Sequence, residues 1–450
     1  MAREHGRALR DRRGVDHRRR SQRVNGASRL QPASGRPLMR SLNATIALLA
    51  FAVAVVVTTE FIVVGLLPMM ARDLGVSLLE AGRLVTWFAL SSAILGPPLT
   101  IAASKVEPRP VLVLALLVFG LGNLVATVIP SYPILVAVRV VQGAALPVFV
   151  SVGSAAVARI AGPDQDGRAL ALVNVGVIAG AVLAMPAGVF LADHAGWSTS
   201  FVGLAMLALT AAVSVGAAFP RLERAGLPSI KAQALILAEP SFQVHLLLSA
   251  ALFTAMFVAY TYLAAFLEVV VGLDGRRIAL ALVGFGLAGL LGNWIAGRAV
   301  GQGPTVATAG AALALVVVMP AVSLVGGNWS LLLPLLVVWG AAHAAAFVLC
   351  QVRVMRAGAS APAFAASLNI SACNLGIALG AAAGGGIVER YGVEAIGFGS
   401  AIFAACALAV AGLMLMKAAR PSTTRSLGLP SFSERPAEIY QAVTKRSHVS

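Results

Sequence analysis

Two opposite charges stand deep inside apolar stretches of this chain. Glu60 lies eight residues before Pro68, where one stretch ends, and Arg139 lies seven residues into another. At the helical rise of 1.5 Å per residue, these charges are about 12 Å and about 10 Å from the ends of their helices. A carboxyl group beside a cation in a closing cavity can exchange a proton as its surroundings change. The alternative is a static structural ion pair.

Further polar side chains lie inside the apolar stretches. Gln142 is one helical turn from Arg139, His343 falls near the middle of a later stretch, and Asn369 and Asn374 share another. Because a polar group in lipid is costly, such residues usually mark a transport pathway. We expect these four side chains at a substrate cavity. For His343, a role as a proton relay and a role as a hydrogen-bonded packing residue both remain open.

Twelve apolar stretches must position these residues. A helix that crosses roughly 30 Å of hydrocarbon needs about 20 mostly apolar residues. With 59% hydrophobic and 12% charged residues, the composition excludes a water-soluble domain of this length. We predict an all-α integral membrane protein with twelve transmembrane helices. They cover, approximately, residues 44–68, 80–103, 110–130, 132–158, 168–192, 198–219, 242–268, 277–299, 304–325, 329–352, 362–387 and 394–416.

The net charge of +16 is concentrated at the ends of the chain and in alternate connections. Residues 1–43 are predicted to be a disordered basic tail, and residues 418–450 a second tail. Met39 is an alternative start of translation. Since Lys and Arg accumulate on the cytoplasmic side of membrane proteins, both termini are predicted to be cytoplasmic, in a plasma-membrane protein. There is no folded basic domain, so nucleic acid is not an expected partner.

Three cysteines and the scattered acids do not suggest a catalytic or metal centre. Cys350, Cys373 and Cys406 lie in apolar stretches without metal-ligand spacing. The sequence brings no group of His, Asp, Glu and Cys to a common depth. We therefore expect neither a metal nor a cofactor, and no enzymatic activity.

Glycines repeat at an offset of 196 residues, which indicates two related halves. The matched pairs are Gly96 and Gly292, Gly180 and Gly376, Gly188 and Gly384, and Gly196 and Gly392. Internal repeats of this kind are typical of secondary transporters. We predict two six-helix halves, at residues 44–219 and 242–417, joined by a cytoplasmic linker at residues 220–241.

Small residues at four-residue spacing predict close helix packing. One such series contains Gly180 and Gly188 with a bend at Pro186, and its repeat contains Gly376, Gly380 and Gly384. We expect these seams to be where the two halves rock against each other. A GxGxxG run at residues 284–289 lies inside an apolar stretch with no strand before it, so helix packing explains it better than a nucleotide site.

Several runs together resemble the major facilitator superfamily, and within it the twelve-span drug:proton antiporters. They are VTTEFIVVGLLP (57–68), AVRVVQG (137–143), AMPAG (184–188), Gly196-Trp197 and SLNISACNLGIALGAAAGG (367–385). This resemblance implies that spans 1, 4, 7 and 10 line a central cavity, with Glu60, Arg139, Tyr260 and His343 around it. It also implies that Glu60 and Arg139 take part in proton coupling.

The loop between spans 2 and 3 departs from the family pattern. The family carries Gly-x-x-x-Asp-Arg there, whereas this chain reads TIAASKVEPR at residues 100–109. Lys105 and Arg109 remain candidates for gating, and Glu107 is a candidate replacement for the missing aspartate. The second-half copy, GNWIAGR, is also degenerate.

These features together predict a monomeric secondary transporter. It would export a small organic molecule or drug in exchange for protons by alternating access, with the proton motive force as its energy source. The alternative is proton-coupled or facilitated uptake of a small metabolite on the same fold. The expected partners are the substrate, protons and the lipid bilayer.

Overall fold

The computed structural model describes residues 35–162, 165–223 and 236–419. The predictions made for residues 1–34, for most of the linker and for the tail beyond residue 419 lie outside this part of the chain. The first helix begins at Gly35, so the end of the segment predicted as a tail belongs to span 1.

Twelve spans of the described chain are helices long and apolar enough to cross a membrane, and the described residues form no strand. The predicted fold class is therefore confirmed. The spans, numbered in chain order, are Gly35–Leu74, Leu78–Ala103, Pro108–Val128, Tyr132–Ala161, Asp166–Ala195, Trp197–Ala218, Pro240–Tyr260 continued by Leu263–Val269, Gly275–Ala299, Pro304–Val325, Trp329–Ala357, Pro362–Tyr391 and Ile396–Ala419.

Most helices extend beyond the apolar stretches that predicted them. Span 1 was expected at 44–68 but continues to Leu74, past Arg72. Hydropathy locates only the part of a helix that lies in hydrocarbon, whereas the backbone hydrogen bonding of a helix continues into the polar headgroup layer. Helix ends are instead marked by caps. At the start of span 2, Ser77 and Glu80 form a reciprocal capping box.

The spans pack in the same order in each half. In the N-terminal half, span 1 packs on span 5, span 2 on span 4, and span 3 on span 6. In the C-terminal half, span 7 packs on span 11, span 8 on span 10, and span 9 on span 12. The two sets are identical after a shift of six spans. Two pseudo-symmetric six-helix halves follow, in agreement with the predicted architecture.

Close glycine contacts reproduce the 196-residue repeat in atomic detail. A methyl group on Gly180 would lie 2.6 Å from the carbonyl oxygen of Ala54, and one on Gly376 would meet the carbonyl oxygen of Ala250. Gly376 and Ala250 each follow their counterparts, Gly180 and Ala54, by 196 residues. Gly196 and Gly392 match as well, because each has a positive φ, at 80° and 84°, in the turn before the sixth span of its half.

The glycine seams lie inside each half, which corrects one expectation. Gly180 and Gly188 face span 1, while Gly376, Gly380 and Gly384 face span 7. Pro186 lies within the helix of span 5. The predicted close packing is present, but these seams are not the boundary along which the halves move. The spacing of small residues predicts that another helix packs closely against this one. It does not identify which helix that is.

Two helix pairs form the main contacts between the halves. Span 2 packs on span 11, and span 5 packs on span 8. In the second pair, Gly286 of the GxGxxG run admits the side chain of Val182, whose Cγ1 would lie 2.7 Å from an added methyl group. That run therefore serves helix packing, although Gly284 has no neighbouring atom within 4 Å.

We call the side of the bundle where odd-numbered spans begin the terminal face, and the side where they end the far face. Span 7 is the one span of the described chain made of two helices, which meet close to the far face at Thr261 and Tyr262. The sequence predicted a continuous helix there. At this break the Tyr262 hydroxyl donates a hydrogen bond to the carbonyl oxygen of Ala381, at 2.9 Å.

Candidate functional site

Arg139 is buried at the junction of spans 1, 2 and 4. Its guanidinium donates hydrogen bonds to the main-chain carbonyls of Thr59 (2.8 Å) and Glu60 (2.9 Å). It also lies 4.1 Å above the centre of the Phe88 ring. The side chain is 1% exposed, so these contacts replace nearly all of its hydration. Arg139 thus fixes the backbone of span 1 at the position of the acid.

The Glu60 carboxylate does not form a direct ion pair with Arg139, the alternative that the sequence left open. Among the described residues, ion pairs within 4.0 Å join Arg72 to Glu268 and Arg277 to Asp274. Within that same part of the chain, no hydrogen-bond donor is recorded for the Glu60 side chain. The half-buried carboxylate remains close enough to Arg139 and Tyr260 for charge interactions. Because Glu60 and Arg139 lie at similar depth in the bundle, the sequence predicted that they are close. The rotation of each helix about its own axis decides which of their atoms meet.

Gln142 lies inside the N-terminal half rather than at the boundary between the halves. It is fully buried, and its amide nitrogen donates to Asn123 Oδ1 at 3.0 Å on span 3. Asn123 in turn donates to the Thr59 hydroxyl at 3.4 Å. A polar chain therefore links spans 4, 3 and 1 beside Arg139. Asn123 and Thr59 were not singled out from the sequence, although a buried Asn in span 3 was available as a signal.

Tyr260 and His343 meet as expected, in a cluster of aromatic rings. Their ring centroids are 4.4 Å apart, and both side chains are 6% exposed. The surrounding rings come mainly from the C-terminal half: Phe253, Phe257, Phe285, Trp339 and Phe347. Across the boundary, Phe61 of span 1 stacks on Phe257 of span 7 with centroids 6.2 Å apart. We call Glu60, Arg139 and this aromatic cluster the central site.

Two polar atoms in the aromatic cluster have no hydrogen-bond partner among the residues that the structure describes. They are Nδ1 of His343 and Nε1 of Trp339, both fully buried. A buried polar atom without a partner is costly, so each of these atoms calls for a partner such as a bound molecule or water. Because Trp339 and His343 project from the same span, their free atoms can serve a bound molecule that also contacts the rings.

The two asparagines of span 11 are buried but do not contact the central site by hydrogen bonds. Asn369 donates to Gln351 Oε1 of span 10 at 2.8 Å, and Asn374 donates to the carbonyl of Ile370 in its own helix at 3.0 Å. Each keeps a buried side-chain oxygen without a partner. The structure therefore places these two candidates nearer the terminal face than Tyr260 and His343.

The predicted gating residues at the terminal face stay within the N-terminal half. The Arg109 guanidinium donates to the carbonyl of Gly216 on span 6. Lys105 is exposed. Glu107, the candidate replacement for the family aspartate, has one buried carboxylate oxygen without a partner. In the described chain, none of the three forms a hydrogen bond or an ion pair with the C-terminal half.

The far face is closed by residues that the sequence did not reveal. Arg72 at the end of span 1 forms an ion pair with Glu268 at the end of span 7, at 2.5 Å. These positions are 196 residues apart, so the pair joins equivalent points of the two halves. Below it, Tyr262 fits between Gly82 of span 2 and Gly385 of span 11. In the sequence, the signal for this contact was the presence of glycines in spans 2 and 11 and of Tyr262 in span 7.

The central site lies where the two halves meet. In the described part of the chain, no three His, Cys, Asp or Glu side chains are grouped to hold a metal ion. Two pseudo-symmetric six-span halves that meet around buried charged and aromatic side chains define a secondary membrane transporter.

Comparison with known proteins identifies the family. The sequence profile of the Major Facilitator Superfamily matches residues 49–361. The chain is 31% identical over 359 residues to the inner membrane transport protein YdhP of Escherichia coli K12, which covers 80% of this chain and 91% of that protein. It is 34% identical over 338 residues to a chloramphenicol resistance protein of Streptomyces lividans, over 74% of this chain and 86% of that protein. The chain belongs to the Major Facilitator Superfamily and is a multi-pass membrane transporter.

Solved structures agree at the level of the fold. A bacterial homologue of the human lysosomal transporter Spinster, in an inward-facing and unoccupied conformation, superposes with a TM-score of 0.67 at 16% identity, over 83% of this chain and 97% of that one. The nucleoside transporter NupG superposes with a TM-score of 0.66 at 14% identity, over 83% and 99% of the two chains.

Proposed function

We propose that this protein exports a small organic molecule in exchange for protons, and that the central site binds both in turn. The Glu60 carboxylate carries this proposal. It lies at the meeting of the two halves, half-buried, without a direct partner among the described residues. A partly buried acid with no direct partner is costly in its charged form, so binding a proton or a substrate there relieves that cost.

The aromatic cluster supports an organic substrate. Rings from spans 7, 8 and 10 offer flat apolar faces, while His343 and Trp339 offer polar atoms that lack partners. Binding sites for small molecules are typically apolar and aromatic with a few directed polar groups. Similarity to a chloramphenicol resistance protein favours export over uptake.

Alternating access requires the central site to open to each side in turn. In the described structure the far face is closed by Arg72, Glu268 and Tyr262. We propose that the protein lies in the plasma membrane as a monomer with its terminal face toward the cytoplasm. The basic residues Lys105, Arg109 and Arg159 near that face support this orientation. The substrate would then enter from the cytoplasm when the far face is closed.

Substitution of Glu60 by Gln tests the coupling, because Gln keeps the size of the side chain and removes its titration. A first substrate would come from a susceptibility and efflux panel of phenicols, dyes, nucleosides and sugars in a host without its own pumps. In proteoliposomes with an imposed pH gradient, we expect Glu60→Gln to abolish gradient-driven transport and to retain exchange of substrate for substrate.

The matched control is Glu389→Gln, which removes an exposed carboxylate at the far end of span 11. It should transport as the unmodified protein does. Gradient-driven transport at the unmodified rate in the Glu60→Gln protein would disprove the coupling assignment.

Uptake of a small metabolite remains the second candidate, since direction does not follow from the residues of the central site. The same vesicles distinguish the two. Substrate movement in the direction opposite to the proton flow indicates exchange. Substrate movement in the same direction as the protons indicates uptake by symport.

A further inference from the structure

A groove of about 580 Å³ opens on the side of the C-terminal half, next to the far face. It lies between span 8 and span 10, and Phe285 forms its inner end. Leu333 and Val337 of span 10 line one wall, with 46% and 40% of their surfaces exposed. In a protein with twelve membrane spans, such exposed apolar side chains in the first turns of a span suit contact with lipid. We call this feature the lateral groove.

The lateral groove exists because the two halves differ at one pair of equivalent positions. Gly284 leaves open space on span 8, with no atom within 4 Å of where a side chain would begin. The equivalent residue of span 2 is the bulky Trp87, because these helices are offset by 197 positions: their N-caps are Ser77 and Asp274, and Gly143 meets the Phe88 carbonyl as Gly340 meets that of Phe285. In the N-terminal half the Tyr132 hydroxyl also ties span 4 to the carbonyl of Glu80 on span 2, at 2.9 Å. The C-terminal half carries Trp329 at the start of span 10 in place of such a bond.

The entrance of the lateral groove has the features of a lipid headgroup site. Arg277 lies there with its side chain 70% exposed, paired only loosely with Asp274 at 3.7 Å. Arg276 is exposed beside it, so one positive charge is left uncompensated among these three residues. Trp329 flanks the entrance and is 36% exposed. Indole rings and basic side chains are both enriched where a bilayer meets water.

The dimensions fit a lipid that stands upright in the membrane. Eight residues separate Arg277 at the entrance from Phe285 at the inner end. At 1.5 Å per residue the lateral groove is about 12 Å deep along the helix axis. That depth is enough to hold the upper part of an acyl chain beneath a headgroup.

We propose that the lateral groove binds one anionic phospholipid. Its phosphate is held by Arg277, with Arg276 adding positive charge, and one acyl chain fills the space beside Gly284 down to the Phe285 ring. Guanidinium groups match phosphate geometry and form charge-assisted hydrogen bonds with it. Walls of Leu and Val that face hydrocarbon favour an acyl chain over a free phosphate ion.

Native mass spectrometry of the purified full-length protein tests this site. Phosphatidylglycerol and phosphatidylcholine with identical chains would be titrated separately into delipidated protein. We expect one phosphatidylglycerol to bind at least about tenfold more tightly than phosphatidylcholine. Arg277→Gln should weaken phosphatidylglycerol binding by about tenfold or more, because a charge-assisted contact is lost. Gly284→Leu should have a similar effect by filling the groove.

Matched controls lie on the same helix. Arg298→Gln removes a guanidinium at the opposite end of span 8, and Gly297→Leu adds a side chain at another glycine with no neighbour within 4 Å. Both should bind phosphatidylglycerol normally. Thermal unfolding of each variant without added lipid confirms that it is folded. Equal binding of the two lipids, or unchanged binding in folded Gly284→Leu protein, would overturn the proposal.

Discussion

The contacts of Arg139 distinguish two roles that the sequence could not tell apart: holding the backbone of span 1 and pairing with the Glu60 carboxylate. Its guanidinium is bound to the carbonyl oxygens of Thr59 and Glu60, which do not titrate. Arg139 can therefore hold the backbone of span 1 in place whether or not the Glu60 side chain carries a proton. The carboxylate stays near a positive charge without being consumed by a direct ion pair. This arrangement is compatible with the proton exchange that we propose for Glu60.

Arg139→Lys tests this positioning role. Lysine keeps the charge, but its single ammonium cannot reproduce the planar fork that reaches two successive carbonyls. A hydrogen bond to a charged group contributes about 1.5–3 kcal/mol. We expect Arg139→Lys to lower the thermal stability of the purified protein and to slow gradient-driven transport at least about tenfold.

The control is Arg168→Lys, at an exposed position at the start of span 5. Its stability and transport should match the unmodified protein. Normal melting and transport in the Arg139→Lys protein would show that charge alone is needed at that position, and not the geometry of the fork.

At the scale of the helices, the glycine seams make each half rigid. Span 5 is held on span 1, and span 11 on span 7, with glycines directly against main-chain carbonyls such as those of Ala54 and Ala250. Backbone atoms in packed helices cannot rotate away as a side chain can. Motion between the halves is thus left to the contacts of span 2 with span 11 and of span 5 with span 8.

Leucine at Gly180 or Gly376 should destabilise the half that contains it. Overpacking of a close interface costs about 1–3 kcal/mol, and more where backbone must shift. We expect lower yields and a lower melting temperature for both variants. Gly203→Leu and Gly412→Leu serve as controls, since neither glycine has an atom within 4 Å of an added methyl group.

One outcome would support the expectation from the sequence that the two halves rock along these seams. If Gly180→Leu or Gly376→Leu melts normally but fails to transport, then the seam does move during the cycle.

For the whole molecule, we expect the ion pair between Arg72 and Glu268 to act as a latch on the far face. The side chains are 59% and 30% exposed, so the latch is weak. Exposed pairs typically contribute about 0.2–1 kcal/mol. A weak latch is appropriate for a conformation that must open in every cycle, because it biases the equilibrium without trapping it. The larger part of the closure comes from packing around Tyr262.

Charge reversal at Arg72 should open the far face more often. Arg72→Glu replaces attraction with repulsion toward Glu268, and about 1 kcal/mol corresponds to roughly a fivefold change in population. Ala265, buried beneath the latch, provides a reporter position. In a variant without Cys350, Cys373 and Cys406, we expect Ala265→Cys to react several-fold faster with a membrane-impermeant maleimide after Arg72→Glu.

Exchange of the two charges is the control. The double variant Arg72→Glu, Glu268→Arg should return the labelling rate to that of the parent. If Arg72→Glu leaves labelling unchanged, packing alone closes the far face and the ion pair has no part in it.

The sequence by itself determined the class of fold and several residues of the central site, but not its aromatic cluster. Hydropathy alone locates twelve spans, because a helix in lipid must satisfy its backbone internally and present apolar side chains. The 196-residue glycine repeat indicated two halves, since close helix contacts tolerate little else. Glu60, Arg139 and His343 were identified because polar groups in hydrocarbon are too costly to keep without a use, while Tyr260 came only from the family resemblance.

Only the tertiary structure decided which atoms meet. Equal depth placed Glu60 near Arg139, but helix rotation directed the guanidinium to main-chain carbonyls instead of the carboxylate. Rotation likewise directed Gln142 into the N-terminal half and the glycine seams toward spans 1 and 7. The pair of Arg72 with Glu268 depends on two helix ends almost 200 residues apart. Hydropathy indicates how deep a residue lies in the membrane. The direction in which a side chain points from its helix, and its neighbours from distant parts of the sequence, are fixed only when all the helices pack together.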